Sequence, residues 1–508
     1  MPYEPMRLES KSSPAGAAIA VWLAVVVFVL LCRIIYLTWF HPLAKYPGPL
    51  LARYTNLYGA YRAWKGDVHH DLHRYHGIYG DYVRYAPNRV SMNTAAALYD
   101  IYGHGARVQK FKGYQALSSM AANTLTMSDK AQHAARRRFI SQAFSQSSLR
   151  MLEPAIRSRI ERFCRQISIT DLAFDLMTAV TFGKDYNTTE DPRFRYVVQC
   201  IETSNVRLGV LFQASELAFG KLDRIFLKQS VIASARFVNF LSKLLQYRLQ
   251  TETTEIKDIF SYLQRCKDPD TGQGLSPKEI STETATFIVA GSDTTSTAMA
   301  SLAHYLASSS RHYRLATHEI RTTFSSVDEI SFGPQLNACV FLRACLDEAL
   351  RITPPGGGPL WREVEPPTGA VIDGEYIPAG CIVGSSIYAM HHSPRNWEDP
   401  NKFVPERWMH EHGHDKEKEG ARRPTAYFPF GFGPRSCVGK PLAIAEVMLT
   451  FALLLWQFDF RRADSDRDSV GEWWEGDDTE AEEYVLKDHV TGQKQGPVLC
   501  FRSRFRTH

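Results

Sequence analysis

The chain has 508 residues, of which 44% are apolar and 22% charged, with a mean hydropathy of −0.26. These proportions exclude a polytopic membrane protein and a disordered tail, and a net charge of +5 with no basic stripe interleaved with aromatics leaves no footprint for nucleic acid. The nine cysteines (Cys32, Cys164, Cys200, Cys266, Cys339, Cys345, Cys381, Cys437 and Cys500) show neither a CxxC nor a paired spacing. That argues against a disulfide scaffold or a structural zinc site and places the body of the chain in a reducing compartment.

Residues 15–32 carry no charge, and the apolar run resumes beyond Arg33 as far as Phe40. About 20 apolar residues span a hydrocarbon core of ~30 Å, so the pattern predicts one transmembrane helix over about 15–37. A cleaved signal sequence would have a shorter apolar core and a small-x-small cleavage site. Here the run ends in Trp39 and Phe40, an interfacial aromatic anchor. The bases Arg33, Lys45, Arg53 and Arg62 that follow, against Arg7 and Lys11 before, favour a cytosolic body. The division expected is an N-terminal anchor segment, 1–40, and a body, 41–508, joined by the stiff hinge HPLAKYPGP from His41 to Pro49.

In the body no repeat of 20–50 residues recurs, which removes solenoids and propellers. Amphipathic periodicity predicts helices over Ser148–Arg165, Val231–Leu249 and Ile280–Leu306. From Gly369 onward come short β-like runs, with Asp373-Gly374 as a hairpin turn between two of them. The fold class expected is mainly α with small β-sheets. Asp464 to Glu483 holds ten acidic residues and one base, and reads as a solvated loop. Everything else then carries 58 basic and 44 acidic residues, a net +14 that suits an anionic membrane face or an acidic protein partner.

The chemistry concentrates in Phe430-Gly-Phe-Gly-Pro-Arg-Ser-Cys-Val-Gly439, just before an apolar helical run. Cys437 falls at the start of that run, where free amides and the macrodipole favour an anion and lower a thiol pKa. Such a thiolate ligates a soft metal or acts as a nucleophile. A phosphate-binding G-x-G-x-x-G is excluded, because Ser436 stands where the third glycine belongs and no βαβ unit surrounds it. Two other features carry less. Asn187-Thr188-Thr189 is a sequon that a cytosolic body does not expose to glycosylation, and His391-His392, being adjacent, do not present convergent metal ligands.

This segment resembles the cysteine-ligand loop of the cytochrome P450 family, F-x-x-G-x-R-x-C-x-G, with Phe430, Gly433, Arg435, Cys437 and Gly439 at the fixed positions. Three further motifs of the family follow its order. Ala290-Gly-Ser-Asp-Thr-Thr295 is similar to A-G-x-[DE]-T-[TS], Glu348-Ala-Leu-Arg351 to E-x-x-R, and Pro405-Glu-Arg-Trp408 to P-E-R-[FW]. The resemblance runs over essentially the whole chain and replaces the roughly three domains its length suggests with one large haem-binding fold.

The resemblance implies haem (heme b) with Cys437 as axial ligand of the iron, and Phe430 and Arg435 in the loop around it. His133 and Arg137 stand where the family has W-x-x-x-R, with Arg136 and Arg138 leaving that register open by one residue. Together with Arg362 they supply cations for the haem propionates. Glu348, Arg351 and Arg407 make a structural ion triad. Asp293 and Thr294 are the implied catalytic pair, Thr294 hydrogen-bonding the bound dioxygen and Asp293 serving the proton relay. A Thr294 hydroxyl bonded back to Ala290 would bend the helix and open a groove beside Gly291.

The activity implied is insertion of one oxygen atom of O2 into an apolar small molecule. The electrons come from NADPH through a separate flavoprotein reductase, since this chain has no flavin or nicotinamide domain. The lipid bilayer is the remaining partner, with the anchor single-pass in the endoplasmic reticulum membrane and the catalytic domain cytosolic. The loop style resembles fungal secondary-metabolism members. The alternatives are a reductase-independent haem-thiolate isomerase or dehydratase and a non-catalytic haem-binding membrane protein; the intact Asp293-Thr294 pair counts against the first. Segments 107–125, 206–226 and 354–360 are the expected pocket walls, and the glycines at 356–358 are expected to include a flexible position.

Overall fold

The computed structural model describes residues 14–117, 122–166, 169–188, 191–250, 258–267, 272–409, 426–463 and 481–505. The first helix, α1 (Pro14–Ile35), continues as a wider turn over Tyr36–Phe40. From Ala18 to Cys32 its side chains are apolar and almost all exposed, Trp22 and Phe28 being 65% and 67% exposed, and Arg33 lies in its last turn. The span Ala18–Phe40 has 23 residues with a mean hydropathy of 2.8, and only its last turn, at Leu37 and Thr38, touches the body. A helix apolar all round before that turn, with no protein partner there, has the form of a membrane span.

The segment after it does not stand free as a hinge. Leu43 and Tyr46 are buried in a core cluster, and Pro47 O accepts the Arg84 amide at 2.7 Å. The buried Arg84 guanidinium donates to Leu37 O at 2.8 Å, tying the end of the anchor to the body. The prolines prevent a continuous helix as expected, but the intervening apolar side chains dock the segment.

The body follows with α2 (Leu57–Lys65), α3 (Val68–Tyr79), β1 (Tyr82–Ala86), β2 (Arg89–Met92), α4 (Ala95–Tyr102) and β3 (Val108–Lys110). Next come α5 (Lys130–Ala143), α6 (Gln146–Gln166), α7 (Ile169–Phe182), α8 (Arg195–Gln213), α9 (Leu222–Phe226), α10 (Lys228–Gln250) and α11 (Ile259–Arg265). The long α12 (Pro277–Ser308) is followed by α13 (Ser310–Thr323), α14 (Pro334–Asn337) and α15 (Val340–Ile352). The strands β4 (Arg362–Val364), β5 (Ala370–Ile372), β6 (Glu375–Ile377) and β7 (Ile382–Gly384) precede α16 (Ile387–His391) and α17 (Lys440–Gln457). Four strands close the chain: β8 (Phe458–Arg462), β9 (Leu486–His489), β10 (Thr491–Lys494) and β11 (Leu499–Ser503).

The three predicted helices are α6, α10 and α12, and the Asp373-Gly374 turn joins β5 to β6 with both residues at positive φ (52° and 76°), as a tight hairpin requires. One sheet has the order β1-β2-β7-β4-β3; β5/β6, β8/β11 and β9/β10 are two-stranded. α12 begins with a capping box between Ser276 and Glu279 and Pro277 at its first turn. It is buried almost along its length, and its Ile288, Met299 and Leu302 belong to one core cluster with Phe174, Leu346 and Phe451 from α7, α15 and α17. That packing fixes α12 and α17 as the two facing walls of the site.

The end of the acidic stretch is not a solvated loop. Residues 464–480 lie outside the described residues, but Glu482 O lies 2.8 Å from His304 Nε2 and the Glu483 carboxylate accepts the Tyr388 hydroxyl at 2.8 Å.

Candidate active site

The loop before α17 is shaped by two left-handed glycines, Gly431 (φ 70°) and Gly433 (φ 68°). A Cβ on Gly433 would sit 1.9 Å from Tyr102 O, so only glycine lets the loop lie against the end of α4. The Cys437 amide donates to Phe430 O at 2.7 Å and closes the turn. The Cys437 side chain carries accessible surface and lines a cavity of about 410 Å³. Burial pushes its thiol up, while the Gly439 and Lys440 amides and the Arg137 and Lys440 cations pull it down. The helix start acts as the sequence predicts, but burial outweighs it; a metal cation bound at the sulfur would favour the thiolate.

Five basic side chains border the same cavity: Lys110, His133, Arg137, Arg362 and Arg435. Arg435 donates to Met127 O at 2.7 Å and Ser128 O at 2.9 Å, Arg137 to Ser436 O, and Arg362 to the Tyr114 hydroxyl at 3.1 Å. These are neutral acceptors, so the cluster repels itself. Burial first, and then the neighbouring cations, hold Lys110 well below its ordinary value, push His133 down to about 3 and Arg435 down to about 10. The open register at the triple arginine is answered by geometry: Arg137 reaches the cavity, whereas Arg136 pairs with Glu279 and, at 3.2 Å, with Glu283.

On the facing wall α12 contributes Ala290, Gly291, Thr294 and Thr295. The Thr294 hydroxyl donates to Ala290 O at 2.7 Å, the expected back-bond, and the helix runs on as one element through it. Gly291 is where α7 crosses, since a Cβ there would meet the Met177 sulfur at 2.4 Å. Asp293 is not part of the cavity wall. Its carboxylate points behind α12, toward Asn205, Thr491 and Lys494.

The ion triad forms as the motifs imply. Glu348 accepts Arg351 Nη2 at 2.9 Å and Arg407 Nε at 3.0 Å, both Glu348 and Arg351 having no exposed surface. The glycines at 356–358 are packed rather than free: a Cβ on Gly357 would lie 3.1 Å from His69 Cβ, and one on Gly358 3.0 Å from the Asp488 carboxylate. All three expected segments contribute to the cavity, through Lys110, Tyr114, Leu117, Thr124 and Leu125, then Gly209, Phe212 and Gln213, then Pro355, Gly356, Gly358, Pro359 and Leu360. The end of the second segment departs, because Phe219, Ile225 and Phe226 face outward. Sequence reasoning placed Lys110 and Tyr114 in a pocket wall without singling them out among the basic site's residues, and missed the β9–β10 hairpin, which brings Asp488, Val490 and Thr491 to the cavity; no local pattern marks them.

A thiol facing a largely apolar cavity offers a soft metal ligand, and the basic side chains on the wall outnumber the two carboxylates there, Glu283 and Asp488, the first of them already paired with Arg136. The residues present therefore fit a metal-centred group bearing two carboxylates, and the fold and site define a haem-thiolate protein. The family profile described as Cytochrome P450 matches residues 47–475. Among curated relatives, the chain is similar to cytochrome P450 monooxygenase poxM of Penicillium oxalicum, 42% identical over 92% of each chain. It is also similar to atnE of Emericella nidulans, a monooxygenase of the same name, 39% identical over 96% of this chain and 97% of that one. The third, lcsN of Purpureocillium lilacinum, is 52% identical over 67% of this chain and 99% of its own. Among solved structures, retinoic acid-bound cyanobacterial CYP120A1 shares the fold with a TM-score of 0.66 at 20% identity, covering 85% of this chain and 93% of that one. The chain belongs to the cytochrome P450 family, and it is a haem-thiolate monooxygenase.

Proposed function

We propose that this monooxygenase oxidises an apolar small molecule in a fungal secondary-metabolite pathway. In this reading it draws electrons from NADPH through a separate flavoprotein reductase, and it is held by α1 in the endoplasmic reticulum membrane with its body in the cytosol. The observation that carries the reading is the meeting in one cavity of Cys437, the five basic side chains and Thr294. When bound, the haem supplies dioxygen activation and oxygen-atom insertion. Cys437 would ligate the iron; Arg137, Arg362, Arg435 and Lys110 would neutralise the propionates, the neutral His133 would donate a hydrogen bond to one of them, and Phe430 would wall the ligand side. Thr294 gives its hydroxyl proton to Ala290 O, so its oxygen can accept a hydrogen bond from a water or oxygen species in the cavity. Asp293, held away from the wall, passes on the proton that this hydroxyl face consumes.

Membrane attachment is supported by a second apolar surface. Leu57, Tyr61 and Trp64 of α2 and Phe219, Ile225 and Phe226 of the 215–226 segment are exposed, Phe226 by 75%. The two segments are joined by Asn56 Nδ2 donating to Glu216 at 2.9 Å and by Leu217 and Leu227 packing with Ala60 and Val210. A contiguous apolar face of this kind suits a lipid surface.

The test is expression of the full chain with a fungal reductase, followed by 18O2 labelling of products in host extract. NADPH- and reductase-dependent incorporation of one labelled oxygen is expected. Turnover of a hydroperoxide with neither NADPH nor reductase favours the isomerase or dehydratase alternative. A thiolate-type Soret band of the reduced carbon-monoxide complex that survives Cys437→Ala overturns the ligand assignment.

A further inference from the structure

Asp293 is held by residues from two other elements. Asn205 Nδ2, on α8, donates to Oδ2 at 2.9 Å, the Thr491 hydroxyl, on β10, donates to the same oxygen, and Lys494 Nζ lies 3.2 Å from Oδ1. Asp293 and Lys494 are each only 4% exposed, and Lys494 also reaches Glu202, 21% exposed, at 3.6 Å. A buried lysine is costly unless its charge is matched; here the match is Asp293.

The hairpin that carries Thr491 and Lys494 is fixed in place. Thr297 Oγ1 donates to Gly492 O at 3.0 Å, the Gly492 amide to Pro355 O at 2.7 Å, and the Asp488 amide to Gly66 O at 2.7 Å. At its tip Val490 holds φ 81°, a strained conformation for a β-branched residue that such anchoring sustains. Thr491 is thus the residue that both borders the cavity and hydrogen-bonds Asp293.

We propose that Thr491 is the hydroxyl through which Asp293 exchanges protons with the cavity, and that Lys494 is the positioning residue that keeps Asp293 turned toward it. The inference rests on the reading of Asp293 as the site's acid. In the transfer, a proton that reaches the Asp293 carboxylate is handed on to Thr491 Oγ1, which leaves Asp293 again as the anion that Lys494 matches. Thr491 in the same step gives its own hydroxyl proton to a water or oxygen species in the cavity, and the Asp293 carboxylate takes up each such proton from solvent along the Lys494–Glu202 side. One proton enters and one is delivered, and no electron moves.

The test uses the full-length holoenzyme with reductase and NADPH, without added substrate. Thr491→Val removes the hydroxyl at nearly constant shape and is expected to slow NADPH consumption by about 10-fold or more. The same variant is expected to enlarge the solvent deuterium effect, with the carbon-monoxide difference spectrum unchanged; Thr491→Ser restores both. Combining Thr491→Val with Asp293→Asn adds no further slowing if the two act in series. Independently of turnover, Lys494→Met is expected to lower the unfolding temperature, and to lower it less in the Asp293→Asn background, where the lysine has already lost its partner. If Asp293→Asn slows turnover while Thr491→Val leaves the rate and isotope effect unchanged, this inference falls and the acid reading stands. If Asp293→Asn itself changes nothing, the acid reading falls as well. If Thr491→Val accumulates no holoenzyme, Thr491→Ser and the Lys494→Met stability cycle decide: a Lys494→Met loss of equal size in the wild-type and Asp293→Asn backgrounds overturns the proposal.

Discussion

His391 joins the ion-pair core to the cysteine loop. Its Nδ1 lies 3.0 Å from Arg351 O and its Nε2 accepts the Phe428 amide at 3.1 Å. Only the neutral ring with the proton on Nδ1 satisfies both contacts, and burial beside Arg351 pushes its pKa down to about 3. His391→Leu strands a carbonyl and an amide, each worth about 1–3 kcal/mol when buried unpaired. The variant is expected to unfold at lower temperature and to accumulate less haem, measured by calorimetry and haem content.

The same neutrality makes the protein acid-labile. His76, bonded to Gly80 O and Ser91 at 2.8 Å, is pushed down by burial to about 4 from an ordinary value of 6.5. Both histidines stay neutral in the fold but take up a proton on unfolding once the pH drops below 6.5. The unfolded chain then binds more protons, so stability is full above 6.5 and falls between there and the folded values. Each histidine contributes a slope of about 1.4 kcal/mol per pH unit in that window. His76→Gln, whose amide can keep a donor and an acceptor, is expected to flatten the acid limb by one histidine's share in urea titrations at stepped pH.

Glu348 collects five donors: Arg351 Nε and Nη2, Arg407 Nε, Trp408 Nε1 and the Val404 amide, all between 2.9 and 3.1 Å. Arg351 has no other anion within reach among the described residues and spends its remaining donors on His391 O, Pro400 O and Lys402 O. Glu348→Gln therefore strands a buried guanidinium at about 3–5 kcal/mol. Arg407→Ala leaves four of the five donors in place, and the arginine lost is partly exposed, so its cost is nearer 1–2 kcal/mol, about one charge-assisted bond. The order Glu348→Gln worse than Arg407→Ala is expected in holoenzyme yield and unfolding temperature.

The four motifs were legible because each is local: a helix turn carries Glu348 and Arg351, and one ten-residue loop carries Phe430, Arg435 and Cys437. The predicted helices and the Asp373-Gly374 turn follow from periodicity and from residues that accept positive φ. What local pattern could not show is where distant segments meet. Lys110 joins Arg435 only through the packing of β3 beside the loop, and Thr491 meets Asp293 across 198 residues. Composition misled at Glu483, whose acidic neighbourhood suggests solvent but whose carboxylate caps the Tyr388 hydroxyl. It also misled at Leu43 and Tyr46, where the prolines suggest a free hinge and the apolar side chains bury instead.

The cysteine loop predicts opposite outcomes for two glycines. Gly433→Ala places a methyl 1.9 Å from Tyr102 O at a left-handed φ, so the loop must move and the sulfur with it. At Gly439 φ is −81°, an ordinary value, and an added Cβ lies 3.8 Å from the Cys437 sulfur, in plain contact. Gly433→Ala is expected to yield no haem protein. Gly439→Ala is expected to accumulate normally with a displaced Soret band, because the sulfur gains an apolar neighbour. Equal yields of the two variants count against the loop geometry.

The five basic groups at the cavity predict opposite signs for stability and haem retention. Lys110 is buried, donates to Leu125 O, and is held well below its ordinary pKa by burial and by Arg362, Arg435 and Arg137. Without a bound dianion each of these cations destabilises the others, so Lys110→Met, similar in length and uncharged, is expected to raise the unfolding temperature of the haem-free protein. With haem bound, the same change removes a cation from the propionates. A charge-assisted hydrogen bond of about 1.5–3 kcal/mol corresponds to haem loss to a scavenger faster by about 10–100-fold. Calorimetry of the haem-free chain and a haem-transfer assay on the holoenzyme measure the two signs separately. A haem-free variant that loses stability while its holoenzyme keeps haem at the wild-type rate makes Lys110 a structural side chain and removes it from the haem site.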